Sequence, residues 1–300
     1  MTTDGVAVGV DVGGTKILAT AIGRTGTAPI GDCRLSTPAT AQDLVDAIEE
    51  AAVTAAAEAG GAIGAIGVGV PGLVDHNGVM RFAANLRGIT ELPLRALLAD
   101  RLGVQAVVDN DANVAAWGER VAGAGDGCNN MLMVTIGTGI GGGIVLDGAL
   151  YRGAHGMAGE IGHIVVQLDG EQCQCGQRGC WERYASGSAL GRVARAAGFA
   201  SGEDVVTKAA AGDIAAIEAM NTFTRWMAIG IAALVNVLDP EIIVIGGGLV
   251  EAGDLLLTPL RDWLDRLIEG SEHRPSVPLA LATLGERAGA IGAALLARAL

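Results

Sequence analysis

The stretch on which the fold turns is Val6-Ala7-Val8-Gly9-Val10-Asp11-Val12, followed by Gly13-Gly14-Thr15 and a run from Lys16 to Ile22. The first run alternates like a strand, the glycines turn it, and the second run returns as another strand. The tip of this hairpin carries a carboxylate, glycines that let backbone N–H groups approach phosphate oxygens, a hydroxyl and an ammonium. Asp11, Gly13, Gly14, Thr15 and Lys16 therefore each have a use in phosphoryl transfer, and a bare turn would not need Asp, Thr and Lys together. No Lys-Ser or Lys-Thr pair opens a helix here, so a Walker A loop is disfavoured.

The hairpin has an echo. Met131–Ile136 reads as a strand, Gly137-Thr138-Gly139 as a loop, and a return strand runs from about Gly141 to Leu146. Two such units roughly 120 residues apart suggest a duplicated α/β domain whose phosphate loops face each other across a cleft. Gly246-Gly247-Gly248, after a strand over Glu241–Ile245, reads either as a place where a nucleotide lies close to the backbone or as a turn into a helix. Helices are expected over about Thr40–Ala59, Leu94–Leu102, Val114–Val121, within Ser188–Ala211 and Ile214–Leu238, and near Arg287–Leu300. Strands are expected at Ala62–Val70 and Ala106–Asp109, the latter leading into the N-cap chemistry of Asn110-Asp111-Ala112-Asn113.

Three hundred residues, half of them apolar, exceed one compact core. The expected division is a smaller α/β domain over residues 1–118, joined by the C-terminal helix 287–300, and a larger one over 119–286. The longest apolar stretch, Trp226–Leu238, falls short of the roughly 18 residues of a membrane span and is read as a buried core helix. With an acidic N-terminus and no apolar leader, the chain is expected to be cytoplasmic. A formal charge of −13 argues against nucleic-acid partners. Of five cysteines, Cys173, Cys175 and Cys180 crowd together, which in a reducing compartment points to metal, while Cys33 and Cys128 are expected to be buried thiols.

The hairpin, Val70-Pro71-Gly72, Asn85-Leu86, Asn110-Asp111-Ala112-Asn113, Gly159-Glu160-Ile161-Gly162-His163 and Cys173-Gln174-Cys175-Gly176-Gln177-Arg178-Gly179-Cys180-Trp181-Glu182 occur in the order found in bacterial glucokinases of the ROK family. The resemblance covers nearly the full length. It implies the two-domain, actin-like ATPase fold of hexokinases, usually as a homodimer or homotetramer, and transfer of the γ-phosphoryl group of magnesium-ATP to the 6-hydroxyl of glucose. On the same resemblance Asp111 is the general base, Asp11 orients magnesium through water, and Gly72, Asn85, Asn110, Asp111, Glu160, His163 and Glu182 meet the sugar. Hydroxyls of a polyol need both donors and acceptors, which these side-chain types supply. Without the resemblance, a helix cap is the minor alternative reading of Asp111.

His163 with Cys173, Cys175 and Cys180 makes four N/S ligands, the full tetrahedral set of a structural zinc. The alternatives are a strained Cys173–Cys175 disulfide or unrelated thiols. His76, His155 and His273 lack such company. Ile89 stands where a glucokinase more often has an aromatic residue, so kinases for N-acetylmannosamine, N-acetylglucosamine, allose or fructose stay open, as does polyphosphate as donor. A sugar-responsive repressor is disfavoured because the phosphate hairpin begins within the first dozen residues, and an ATP-driven chaperone or filament because of the zinc loop and the sugar-contact set.

Overall fold

In the computed structural model, residues 5–83, 86 and 88–300 are described. The chain begins β1 (Val6–Val12), β2 (Lys16–Ile22), β3 (Pro29–Ser36), α1 (Ala41–Glu58), β4 (Ile63–Val70), β5 (Leu73–Val74), β6 (Met80–Phe82), β7 (Thr90–Leu92), α2 (Leu94–Leu102), β8 (Gln105–Asn110) and α3 (Asp111–Ala122). It continues β9 (Met131–Ile136), β10 (Ile140–Leu146), β11 (Ala149–Leu150), α4 (Glu182–Ala185), α5 (Gly187–Ala196), α6 (Gly202–Ala210) and α7 (Ile214–Leu238). It ends β12 (Ile242–Gly246), α8 (Asp254–Leu267), β13 (Leu279–Leu281) and α9 (Ala288–Arg298).

The first sheet has the order β3-β2-β1-β4-β8 and the second β11-β10-β9-β12-β13, the same path traced twice. In the first, β1 and β2 are antiparallel while β1, β4 and β8 run parallel. The register sets Asp11 opposite Gly69 and Gly69 opposite Asp109, so Asp11 and the Asn110-Asp111 junction emerge from the same ends of their strands. In the second, β12 lies parallel to both β9 and β13.

Residues 1–129, 143–159 and 283–300 form one compact unit, and residues 130–142 and 160–282 form the other. In the first unit Val8, Val10, Ile17, Leu44, Ile48 and Ile66 are almost wholly buried, each worth about 1.5–3 kcal/mol of transfer free energy. α1 is started by Thr40, whose hydroxyl accepts from the Asp43 amide. On the other face α9 lies in backbone contact with the sheet, because a Cβ on Gly9 would sit 1.8 Å from the Ala290 carbonyl and one on Gly67 1.9 Å from that of Ala293. No bulkier pair of rows could pack so closely.

Some elements differ from the sequence reading. α3 starts at Asp111, three residues earlier than Val114, because Asn110 caps it. β3, the short sheet β5-β6-β7 and α8 were not foreseen. Cys33 and Cys128 are half-buried, not buried, since Cys33 lies on the edge strand β3 and Cys128 in the turn before β9. α7 spans 25 residues, yet among the described residues no helix is long and apolar enough to cross a membrane.

Candidate active site

β8 hands the chain to α3 through three consecutive side chains with different duties. Asp109 is 3% exposed. Its Oδ1 accepts from the Asn110 amide and the Asn113 Nδ2, both at 2.8 Å, and its Oδ2 accepts from Arg152 Nε at 2.6 Å. Asn110 is the N-cap, its Oδ1 accepting from the Ala112 and Asn113 amides, while its Nδ2 donates to the Gly72 carbonyl at 3.1 Å. That leaves one Nδ2 hydrogen for another partner. Asp111, the first residue of α3, accepts from the Ala112 amide at 2.8 Å through Oδ1. The cap reading therefore belongs to Asn110, and Asp111 is carried on the first turn of a rigid helix. Gly72 has φ 88°, and a Cβ there would lie 2.2 Å from the Phe82 carbonyl, so its small size is spent on bringing two backbone segments together. Asn85 lies outside the described residues.

The β1-β2 hairpin in the same unit is closed by Gly13 N–H to the Lys16 carbonyl at 2.8 Å. Thr37 braces it, donating from its hydroxyl to the Gly13 carbonyl and from its amide to the Thr15 carbonyl. The tip residues Gly14, Thr15 and Lys16 are exposed. Lys16 Nζ pairs with Glu286 Oε2 at 3.0 Å, and the other oxygen of Glu286 takes Arg34. Burial pushes the Asp11 carboxyl up to about 6, against the opposing pull of the Lys16 ammonium. A divalent cation beside Asp11 would return it to the charged form.

In the second unit His163, Cys173, Cys175 and Cys180 present ligand atoms all within 4.8 Å of one another. Zn–S bonds of about 2.3 Å at tetrahedral angles put sulfurs about 3.8 Å apart. Cys175 and Cys180 Sγ are 3.6 Å apart, and Cys173 Sγ is 3.8 Å from His163 Nδ1, so the residues fit the ion. Burial pushes the Cys173 and Cys180 thiols up, and metal binding must displace their protons.

His163 turns its other nitrogen, Nε2, toward Glu160 Oε2 at 3.8 Å. Glu182 opens α4 two residues after Cys180 and lies 3.0 Å from Cys173 Sγ. Between them Trp181 is fully buried and donates from its indole to the Trp226 carbonyl on α7 at 2.8 Å.

The Gly137-Thr138-Gly139 loop of this unit is tied to the start of α5. The Gly187 amide donates to the Gly137 carbonyl and the Ser188 hydroxyl to the Thr138 carbonyl, both at 2.8 Å. A Cβ on Gly139 would stand 2.6 Å from Glu182 Oε2, so this loop touches the carboxylate of the cysteine loop. Gly247 has φ 89°, and its Cβ would fall 2.2 Å from the Ile136 carbonyl. Of the glycines 246–248, this one brings the end of β12 against the end of β9.

The ROK family model matches residues 7–300. The chain belongs to the ROK family. A glucokinase of Streptomyces coelicolor is 39% identical over 314 aligned positions, covering 98% of each chain. The crystal structure of a ROK family glucokinase from Streptomyces griseus, in complex with glucose and AMPPNP, matches with TM-score 0.86 at 39% identity and covers 99% of this chain and 100% of that one. A ROK hexokinase from Thermus thermophilus matches with TM-score 0.82 at 36% identity over 97% of both. The fold of this ROK chain is thus the actin-like, hexokinase-type α/β fold.

Several residues that shape the site of this ROK protein carried no signal that a motif reading could use. Arg152 and Glu286 are distant in sequence from the groups they hold. Gly289, in the first turn of α9, faces the Asp11 carboxylate so closely that a Cβ would lie 2.6 Å from its Cγ. A helical glycine followed by alanines was the available hint.

Proposed function

We propose that this chain is an ATP-dependent glucokinase, with Asp111 as the general base for transfer of the γ-phosphoryl group to the 6-hydroxyl of glucose. The observation that carries the reading is the full-length likeness to a glucokinase crystallised with glucose and AMPPNP.

In this reading Asp111 takes the proton of the 6-hydroxyl as that oxygen attacks the γ-phosphorus and the bond to the β–γ bridging oxygen breaks, leaving ADP. Phosphoryl transfer asks for positioning and charge stabilisation more than covalent help, which suits a base fixed on a helix and backbone amides at two glycine loops. Gly13, Gly14, Thr15 and Lys16 are assigned to phosphate, as are Gly137, Thr138 and Gly139, and Gly247 with its neighbours Gly246 and Gly248 leaves room for the nucleoside. Asn110, Glu160, His163 and Glu182, with Asn85 by its motif, are assigned to the sugar hydroxyls. Gly72 supports Asn110 through its carbonyl. Asp11 would hold magnesium through water, and the ion supplies neutralisation of phosphate charge. His163, Cys173, Cys175 and Cys180 would hold zinc, whose part is to cross-link the loop carrying Glu160 and Glu182. We further infer a cytoplasmic homodimer or homotetramer from the family resemblance, which light scattering on the purified protein measures.

Measurement of sugar phosphate formed over a panel of hexoses and N-acetylhexosamines, with ATP or polyphosphate as donor, tests the reading. Turnover highest with glucose and ATP supports it. No turnover with any sugar, together with sugar-dependent retention of promoter DNA in a gel-shift, overturns it in favour of a repressor.

A further inference from the structure

Behind the Asn110-Asp111 junction, in the first unit, a cavity of about 270 Å³ is lined by Asp75, His76, Arg95, Asp109, Arg152 and Gly156, among others. Two loops form its mouth and are fastened together. His76 Nε2 lies 3.0 Å from the Gly153 carbonyl, and Gly156, with φ 88°, fits against the backbone of Val74–His76 where a Cβ would be 2.8 Å from three atoms.

The polar groups of this cavity are unequally satisfied. Asp75 Oδ1 accepts from the Asn77 and Val79 amides, and its Oδ2 takes Arg81 Nε and Nη2. Asp109 is filled by three donors as described above. Both carboxylates are therefore spent inside the protein. The cations are not. Arg152 uses Nε alone among the described residues, and Arg95 offers only Nη1 to the His76 carbonyl at 3.3 Å, with no carboxylate partner among them. Arg152 is 31% exposed, so its remaining nitrogens reach solvent-accessible space. What the cavity lacks is acceptors for two guanidinium forks, and planar forks of this kind match oxyanions.

We propose that this cavity is a binding site for a small oxyanion of the phosphate type, held by Arg95 and Arg152, separate from the phosphate-holding glycine loops. The Nε of the same Arg152 holds Asp109, which holds the amide of Asn110 and the side chain of Asn113, so the anion sits one hydrogen bond away from the scaffold of the junction. The ion comes either free or as the phosphate of a phosphorylated metabolite, and the two differ in what else must fit the cavity.

The test is calorimetric titration of inorganic phosphate and, separately, of a hexose phosphate into the full-length protein saturated with glucose and AMPPNP. Those ligands occupy the glycine loops and the sugar contacts. Heat of one-site binding is expected, weakened about tenfold or more in Arg95→Ala by loss of charged hydrogen bonds. Arg95→Gln serves as a second variant if the first fails to fold, and both should phosphorylate glucose at the ordinary rate. Binding of phosphate alone, or of the hexose phosphate more tightly, identifies the source. Absence of heat with either probe at millimolar concentration, or equal heat in wild type and both Arg95 variants, overturns the proposal.

Discussion

Asp109 Oδ2 accepts from Arg152 Nε at 2.6 Å, and this buried carboxylate, not the neighbouring Asp111, fixes the end of β8. Its Oδ1 reaches both the Asn110 amide and the Asn113 side chain on α3. One side chain thus ties strand, helix and the 152–156 loop, and Asp111 inherits its position from those ties. Asp109→Ala should strip three donors of their acceptor at once. Each unsatisfied buried group costs about 1–3 kcal/mol. The expected result is a loss of at least about 2 kcal/mol in urea unfolding, with a lowered kcat and a nearly unchanged KM for ATP. Unchanged stability would mean that the junction is held by other contacts.

Asp111→Asn keeps the shape and the hydrogen bond to the Ala112 amide while removing the base. Glucose affinity and thermal stability should stay near wild type, and kcat should fall by roughly 100- to 10,000-fold, the usual weight of general-base catalysis. Single-turnover kinetics with saturating glucose and ATP measure this directly. A variant turning over at the ordinary rate would remove Asp111 from the role.

Asp11 gives the pH dependence. Its folded pKa, raised to about 6 by burial, exceeds the ordinary value of 3.8. The ligand-free fold therefore prefers the neutral acid. Below pH 3.8 the group is neutral in both states and carries no penalty. Between that value and about 6 the unfolded chain ionises first, so stability falls as pH rises, by up to about 3 kcal/mol at the exchange rate of about 1.4 kcal/mol per unit. Magnesium-ATP binding requires the ionised form and should strengthen over the same interval. Asp11→Asn should flatten the stability term and weaken magnesium-ATP binding above about pH 6, the two proteins converging as the wild-type carboxyl is protonated at lower pH, as followed by thermal melts and nucleotide titrations. A wild-type profile identical to that of the variant would exclude Asp11 as the titrating group.

Gly289 offers a separation of function from stability. Alanine suits a helix better than glycine by about 1 kcal/mol, so α9 itself should not suffer. Yet the added methyl would stand 2.6 Å from Asp11 Cγ and 2.8 Å from its Oδ2, and the carboxylate must move. A displacement of about 1 Å can cost on the order of 100-fold in rate. Gly289→Ala is expected to melt within a few degrees of wild type while kcat/KM for magnesium-ATP drops by that order. Full activity would show that Asp11 has room to shift without consequence.

What the sequence made legible follows the range of each signal. The Asp11–Lys16 hairpin and its echo at Gly137–Gly139 were readable because strand alternation and turn chemistry act over a few residues, and they set the path that both sheets trace. The metal cluster was readable because three of its four ligands lie within eight positions of one another. Asp109 was hidden by its neighbours, since nothing in Asp109-Asn110-Asp111 says which carboxylate is buried. That distinction depends on Arg152, which arrives from 43 residues away. α8 escaped because Pro259 lies inside it, and β3 because an edge strand with one polar face lacks a continuous apolar pattern.

The zinc loop has two anchors, and their unequal reach decides what a cysteine variant will do. His163 and the three cysteines converge on one point, with Cys175 exposed and Cys173 and Cys180 buried. Trp181 is the second anchor, its indole bonded to the Trp226 carbonyl and Tyr184 stacked on the Trp226 ring at 4.5 Å. Cys175→Ser should abolish zinc binding, since a neutral hydroxyl is a poor substitute for thiolate in a soft tetrahedral site. Glu182, one residue from Trp181, then keeps much of its place, whereas the segment of His163 meets Trp181 through its backbone, the Trp181 amide donating to the Ile164 carbonyl at 2.8 Å, and Glu160, further from that bond, should drift. Glucose affinity is expected to fall by about tenfold or more and turnover by on the order of 100-fold. Nucleotide affinity should change less, though not by nothing, because Gly139 rests against Glu182. Calorimetric titration of glucose and AMPPNP into the variant, with zinc measured by elemental analysis, checks the order of the two losses. Equal losses would mean that the metal supports the whole unit, and undiminished glucose binding in a zinc-free protein would mean that Trp181 alone holds the loop.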